Sequence, residues 1–500
     1  MTHKPPLLQF AELAKNYRLV PVYRRLLADS LTPLSAFSRI DAGESGCLFE
    51  SVIGGEKVGR YSFLGADPFL RFEAFGNSVQ VTDSHGTKSS HSEDPLEDLR
   101  RLMDLFKPPH LSELPPFTSG AIGYASYDAI RYIEHLPNQP PDDRNLPDLS
   151  FSFYDRLVVF DNVTKTLDVV VLAHLDDASI PSDQAYKKAC DRIDETVRML
   201  SAPSAWPVPA DIERTADVQC EIKSNFTKSV FVEKVKKAID YIRAGDIFQV
   251  VLSQRLEVDF DLPPLELYRT LRVVNPSPFM FFLRTPSVTL VGSSPEIMVR
   301  VVGGTVTVRP LAGTRKRGAT AEEDELLAQS LLADPKERAE HVMLVDLGRN
   351  DVGRVSRIGS VELSDVMSVE RYSHVMHLTS NVTGTLEINR TAFDALRSCL
   401  PAGTVSGAPK VRAMEIIDEL EPQKRGPYAG AVGYIDFAGS MDTCIALRTI
   451  VVTGGKAYVQ AGAGVVADSI PELEYEETLN KAKGMLVSIE LTAKRLASID

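Results

Sequence analysis

The chain has 500 residues, too many for one ordinary hydrophobic core, so about two domains or one large intertwined unit are expected. Apolar residues make up 44% and charged residues 25%, the usual mix for a soluble globular enzyme. With 55 Lys and Arg against 68 Asp and Glu the formal charge is -13, which argues against a nucleic-acid clamp and still permits a local basic pocket for a small anion.

Five cysteines, Cys47, Cys190, Cys220, Cys399 and Cys444, lie far apart without a CxxC pair, so neither a disulfide framework nor a structural zinc site is expected. A reducing compartment is the simpler reading. The opening MTHKPPLLQF lacks the apolar run of a secretory signal. No uncharged apolar stretch approaches the roughly 18–20 residues of a membrane span, and a cytoplasmic location is the expectation.

In chain order, residues 1–217 form a first part that contains two proline-rich loops, from Lys107 and from Leu136. It ends in the Pro-, Ala- and Ser-rich stretch Ser201 to Asp217, whose prolines can neither continue a helix nor donate to a ladder. The second part, 218–500, patterns more regularly. Thr227 or Ser229 caps a helix through Ala244, with Val232, Val235, Ile239 and Ile242 on one stripe and Gly245 at its end. A strand IFQVVLSQRLEV starts at Ile247, and a hairpin joins IMVRVV to TVTVRP through Gly303-Gly304. Thr320 and Glu323 form a capping box for a helix through Leu332, and Asp334 to Glu337 open another. A helix from Pro409 to Leu420 precedes strand AGAVGYIDF, paired with CIALRTIVV, and then KAYVQAGAGVV. A long last helix begins near Pro471. Hairpin-joined strands with helices between them indicate an α+β fold with mainly antiparallel sheets.

The chain contains no GxSxG elbow, HExxH or GxxxxGK[ST]. Gly403 to Lys410 misses the Walker spacing, and Gly462 to Ala467 opens no βαβ unit, so neither is a nucleotide site. Small-residue loops at Gly313, Gly403, Gly407, Gly462 and Gly464 beside Arg315, Lys410 and Arg448 do favour a pocket for a carboxylated ligand. Glu340 shares a helix face with Leu344 and Leu347, while Ala339, Val342 and Met343 make the other side apolar too. A carboxylate on a helix buried on both sides needs a cation, either a metal or a base such as Arg338. Glu477 has Glu474 at i-3 and Lys481 at i+4, which reads equally as an exposed ion pair or as a second hard-oxygen ligand. His377 and His374 are equal candidates for a proton-transfer residue.

Read together, PLAGTRKRG from Pro310, EHVMLVDLGRNDVGRV from Glu340, PAGTVSGAPKVRAMEIIDELEP from Pro401, GAVGY from Gly430, DTCIALRT from Asp442 and QAGAGVVADSIPELEYEET from Gln460 occur in one order. That series closely resembles the chorismate-utilising enzymes, specifically anthranilate synthase component I. The resemblance implies two packed, mainly antiparallel β-sheets in a sandwich with outer helices. It implies conversion of chorismate and ammonia to anthranilate and pyruvate in tryptophan biosynthesis. A separate amidotransferase subunit, component II, would release the ammonia from glutamine.

By the same resemblance, Glu340 and Glu477 are the Mg²⁺ ligands, and His377 assists departure of the C4 hydroxyl with Thr404 nearby. Gly313, Thr314, Tyr428, Arg448, Gly462, Ala463, Gly464 and Lys481 contact substrate, Lys410 and Lys481 adding positive potential. Ala312 stands where aminodeoxychorismate synthases carry a nucleophilic lysine. Gln249 stands where isochorismate and salicylate synthases carry a base lysine, so ammonia is the expected nucleophile. CLFES and NPSPFMFF resemble a feedback site for L-tryptophan, formed by Glu50, Ser51, Pro278, Phe279 and Met280, with Phe49 and Phe279 replacing the usual leucine and tyrosine. No cysteine sits in an amidotransferase elbow, so glutamine use requires the partner.

Overall fold

The computed structural model describes residues 3–50, 59–175, 180–204, 206, 209–372 and 375–497. Among these, the strands assemble into two sheets of twelve strands each, with every pairing between neighbours antiparallel. The α+β sandwich expected from the sequence is the observed fold. No helix of the described residues is long and apolar enough to cross a membrane, and the five cysteines are unpaired.

Alternation along single strands shows how the layers form. In strand Phe279–Arg284, Phe281 and Leu283 join the cluster between the sheets, whereas Met280 and Phe282 face the helices outside the first sheet. Strand Arg156–Asp161 does the same, with Leu157 and Val159 inward and Val158 and Phe160 outward. A period of two with both faces apolar is the signature of a strand covered on both sides. The outer layer of the first sheet includes helices Pro33–Ile40, Ser182–Ser201, Pro264–Val274 and Pro471–Ala497.

The chain boundary at Asp217 does not separate the sheets. In the first sheet, strands from the first part occupy one end and meet the second part where Gly46–Glu50 pairs with Phe279–Arg284. In the second sheet the join is Gly120–Ala125 against Ala431–Asp436. Each sheet is therefore shared by both parts. The linker also packs back, its Trp206 indole N–H donating to Glu266 and Arg269 lying over the ring.

Two local readings are corrected. The run CIALRTIVV is two strands: Met441–Ile445 belongs to the second sheet and Thr449–Thr453 to the first. The chain changes sheet between them, with Arg448 at φ 47. Helix Pro335–Gly353 buries only one face, formed by His341, Leu344, Val345, Gly348, Asp351 and Val352, while Val342 is exposed. Helix Lys228–Ala244 is capped by Thr227 and ended by Gly245, as the pattern predicts. In helix Ala321–Ala333, the Thr320 side chain accepts from Glu323 N–H, but the Glu323 carboxylate takes the Ala319 N–H in place of that of Thr320.

Candidate active site

The predicted catalytic, substrate and metal residues lie on elements of the second part, drawn from both sheets and their helices. Strand Leu311–Lys316 lies at one edge of the second sheet, paired with Val375–Thr385 so that Thr314 faces His377. A register shift between Ala312 and Thr314 leaves Gly313 bulged at φ 66, a conformation that favours glycine. In the first sheet, Gln249–Asp259 pairs with Lys456–Val465, with Val251 opposite Gly464 and Ser253 opposite Gly462. Side chains from elsewhere cover these glycines. A Cβ on Gly464 would lie 2.6 Å from Gln249 Nε2, and one on Gly462 would lie 3.0 Å from the Tyr428 hydroxyl. A side chain at Gly464 would push the Gln249 amide aside, and one at Gly462 would crowd Tyr428. Gln249 is buried and its Oε1 has no hydrogen-bond partner among the described residues.

Two neighbouring chain crossings bring in the charged groups. Strand Thr289–Ser294 of the first sheet passes into Ile297–Val302 of the second, placing Glu296 at the crossing. Arg448 occupies the reverse crossing beside it. Ile445 N–H donates to the Glu296 carbonyl at 3.0 Å, and Ser293 N–H to the Arg448 carbonyl at 3.1 Å. The Arg448 guanidinium has no hydrogen-bond or ion-pair partner among the described residues, and burial pulls its proton affinity down. An unpartnered, half-buried guanidinium is a ready site for an anion.

Burial pushes the proton affinities of Glu296 and His377 in opposite directions. Burial pushes the Glu296 carboxyl up to about 8, although Thr404 Oγ1 donates to it at 2.8 Å and Leu311 N–H opposes the shift. Burial pulls His377 down to about 4, against the Gly313 carbonyl and with help from Arg448. The His377 Nδ1–H donates to that carbonyl at 2.9 Å, with Thr314 Oγ1 at 3.1 Å, which leaves Nε2 as the open ring nitrogen. Tyr372 packs edge-on against the imidazole at 5.6 Å. At neutral pH the carboxyl carries a proton and the imidazole does not.

Glu340 and Glu477 come from separate helices, and their carboxylates lie within electrostatic reach of one another. Burial raises the proton affinity of Glu340, Glu337 and Glu477 raise it further, and Lys481 and Lys336 oppose them. Glu474, buried on the last helix, is raised by burial and by Glu477. Glu477 is half exposed and pairs with Lys481 at 2.7 Å, whose ammonium also donates to the Gly462 carbonyl at 3.0 Å. Among the described residues no three or more His, Cys, Asp or Glu side chains are arranged to hold a metal. The donor set nevertheless fits Mg²⁺, which is commonly held by one or two carboxylates together with substrate oxygens. Lys410 pairs with Asp351 at 2.7 Å. Sequence reasoning missed Glu296, although Pro295 before it, at the junction of two strand-like runs, could have marked a chain crossing.

The segments resembling a feedback site are adjacent strands, with Met280 opposite Glu50. The buried Glu50 accepts from the Tyr268 hydroxyl at 2.7 Å and pairs with Arg272 at 3.1 Å. Burial raises its proton affinity against both partners. Pro278 leads into this strand, Phe279 begins it half-buried, and Met280 is buried. Ser51 and His374 lie outside the described residues.

A family model described as chorismate binding enzyme matches residues 55–487. Anthranilate synthase component 1 of Acetivibrio thermocellus is 49% identical over 97% of this chain and 98% of its own length. The crystal structure of anthranilate synthase component I from Streptococcus pneumoniae TIGR4 aligns with TM-score 0.76 and 39% identity, covering 93% of this chain and 99% of that one. The menaquinone-specific isochorismate synthase MenF of Escherichia coli shares the fold at 18% identity and TM-score 0.68, over 96% of this chain and 98% of that one. With its site geometry and near-full-length similarity, the chain belongs to the anthranilate synthase component I family of chorismate-binding enzymes.

Proposed function

We propose that this chain aminates chorismate with ammonia and eliminates pyruvate to give anthranilate, in a Mg²⁺-dependent reaction. The observation that carries the mechanism is geometric: Glu296 accepts from Thr404 Oγ1 at 2.8 Å, and His377 turns its Nδ1–H to the Gly313 carbonyl at 2.9 Å, which leaves Nε2 open, while burial pushes their proton affinities apart. Groups whose surroundings push their proton affinities apart divide the acid and base roles. Arg448 holds a substrate carboxylate. Glu340 and Glu477 hold the Mg²⁺, which when bound supplies Lewis-acid polarisation of the ring carboxylate. Gln249 Oε1 accepts an N–H of the incoming ammonia, and its amide cannot serve as the base that would activate water. Glu296, oriented by Thr404, gives its proton to the departing C4 hydroxyl. His377, held proton-free, is thus reassigned from the leaving-group role that the resemblance implied: its Nε2 takes the ring proton and returns it to the departing enolpyruvyl group, which leaves as pyruvate.

The ammonia comes from glutamine through a component II amidotransferase. All five thiols of this chain have their proton affinity raised, in each case by burial first, so none is an activated glutaminase nucleophile. Tryptophan inhibits from the Glu50, Ser51, Pro278, Phe279 and Met280 region. The test is to follow anthranilate fluorescence with chorismate, Mg²⁺ and ammonium, with and without tryptophan. Accumulation of 4-amino-4-deoxychorismate or isochorismate instead would reject the assignment. Ser51→Ala is expected to relieve inhibition while leaving the uninhibited rate unchanged.

A further inference from the structure

Glu296 and Thr404 share a small cavity with Asp351, a residue that the proposed reaction does not use. Glu296, Thr404, Gly403, Leu344 and Asp351 contribute to its lining, and its volume is about 20 Å³, above the roughly 10–15 Å³ that one water molecule needs. Asp351 is 4% exposed, and its Oδ1 has no hydrogen-bond partner among the described residues. Its Oδ2 is bonded to Lys410 Nζ at 2.7 Å. The Lys410 side chain retains 14% exposure and so reaches solvent. A buried orphan acceptor beside a water-sized space with a second carboxyl on its wall is a water site by chemistry.

We propose that Lys410, Asp351 and one cavity water form a proton supply to Glu296, refilling the carboxyl after each leaving-group protonation. This rests on the role of Glu296 proposed above. The balance is simple. The Glu296 O–H breaks as the C4–O bond breaks, and the hydroxyl leaves as water. The Lys410 ammonium then gives a proton to the ionised Asp351 carboxylate, the carboxyl turns its O–H to the cavity water, and the water takes that proton while handing one of its own to the Glu296 carboxylate, which leaves Asp351 ionised again. Lys410 recovers its proton from solvent, into which amination releases one. Burial raises the proton affinity of Asp351 against Lys410, Arg354 and Asn350, which eases its brief protonation. Cys399 also faces Asp351, and Tyr372 faces Glu296. Asp351 and Lys410 act through Glu296 and touch no substrate.

The experiment uses the full chain with Mg²⁺ and saturating ammonium. Asp351→Asn is expected to lower kcat by about tenfold or more at unchanged KM, the scale of a lost proton-transfer step, and to raise the solvent deuterium isotope effect on kcat. Formate is expected to restore turnover to Asp351→Ala and not to Glu340→Gln. Lys410→Met serves as the second variant should the Asp351 variants misfold, with the same kcat and isotope signature. A wild-type isotope effect and kcat in Asp351→Asn or in Lys410→Met, or lost activity without an isotope change or rescue, overturns the relay. Glu296→Gln separates the two levels: if it is fully active, the acid assignment beneath the relay fails; if it is inactive and Asp351→Asn is normal, only the relay fails.

Discussion

Glu296 ties protonation to stability as well as to chemistry. Its folded-state value of about 8 stands above the ordinary 4.5, so between those values the native state binds the extra proton. Linkage then makes stability fall as pH rises through that window, with a slope approaching one proton. Glu296→Gln is expected to flatten this slope in urea unfolding measured from pH 5 to 8, and to cut kcat by about 10²–10⁴. A slope unchanged by the substitution would place the titration elsewhere. Glu340→Gln removes a carboxylate pressed by Glu337 and Glu477, so its expected effects are loss of Mg²⁺ binding by calorimetry and of turnover, with melting temperature retained. Sequence patterning could find Glu340, because a carboxylate among leucines stands out. It could not find the Glu296–Thr404 contact, which joins residues 108 positions apart.

At the scale of elements, one buried ion pair holds the pocket walls in place. Arg425 and Glu421 pair at 2.6 Å with both side chains almost fully buried. Arg425 also donates to the Val405 carbonyl, next to Thr404, and to the Val251 carbonyl, opposite Gly464, each at 2.7 Å. Its guanidinium lies over the rings of Tyr127 and Tyr428. Glu421→Gln leaves that cation without its counter-charge, and removing one member of a buried pair costs about 3–5 kcal/mol. The expected outcome is a loss of that order in denaturant titration, and a loss under about 1 kcal/mol would show the pair to be dispensable. Helix caps and the glycine hairpin were readable because the signals are local. The break inside CIALRTIVV was not, because no proline or glycine marks Ala446 to Arg448, and the change of sheet is set by pairing with distant strands.

Across the whole molecule, the linker divides the chain and not the sheets. Residues 218–500 alone would leave Phe279–Arg284 and Ala431–Asp436 as unpaired apolar edges, a known route to aggregation. That fragment is expected to be insoluble or inactive by itself and to regain activity when co-expressed with residues 1–217. A soluble, fully active fragment would show that the shared sheets are not needed. The linker composition says nothing about which strands pair across it. The crossing at Arg448 has one more consequence. Glu50 lies opposite Met280, Met280 opposite Ser293, and Ser293 N–H donates to the Arg448 carbonyl. A single transverse row of backbone thus spans from the strand end that carries Glu50 to the guanidinium that awaits an anion, and Glu296 follows Ser293 by three residues. The region around Glu50 and the backbone of Arg448 are therefore only three strand spacings apart.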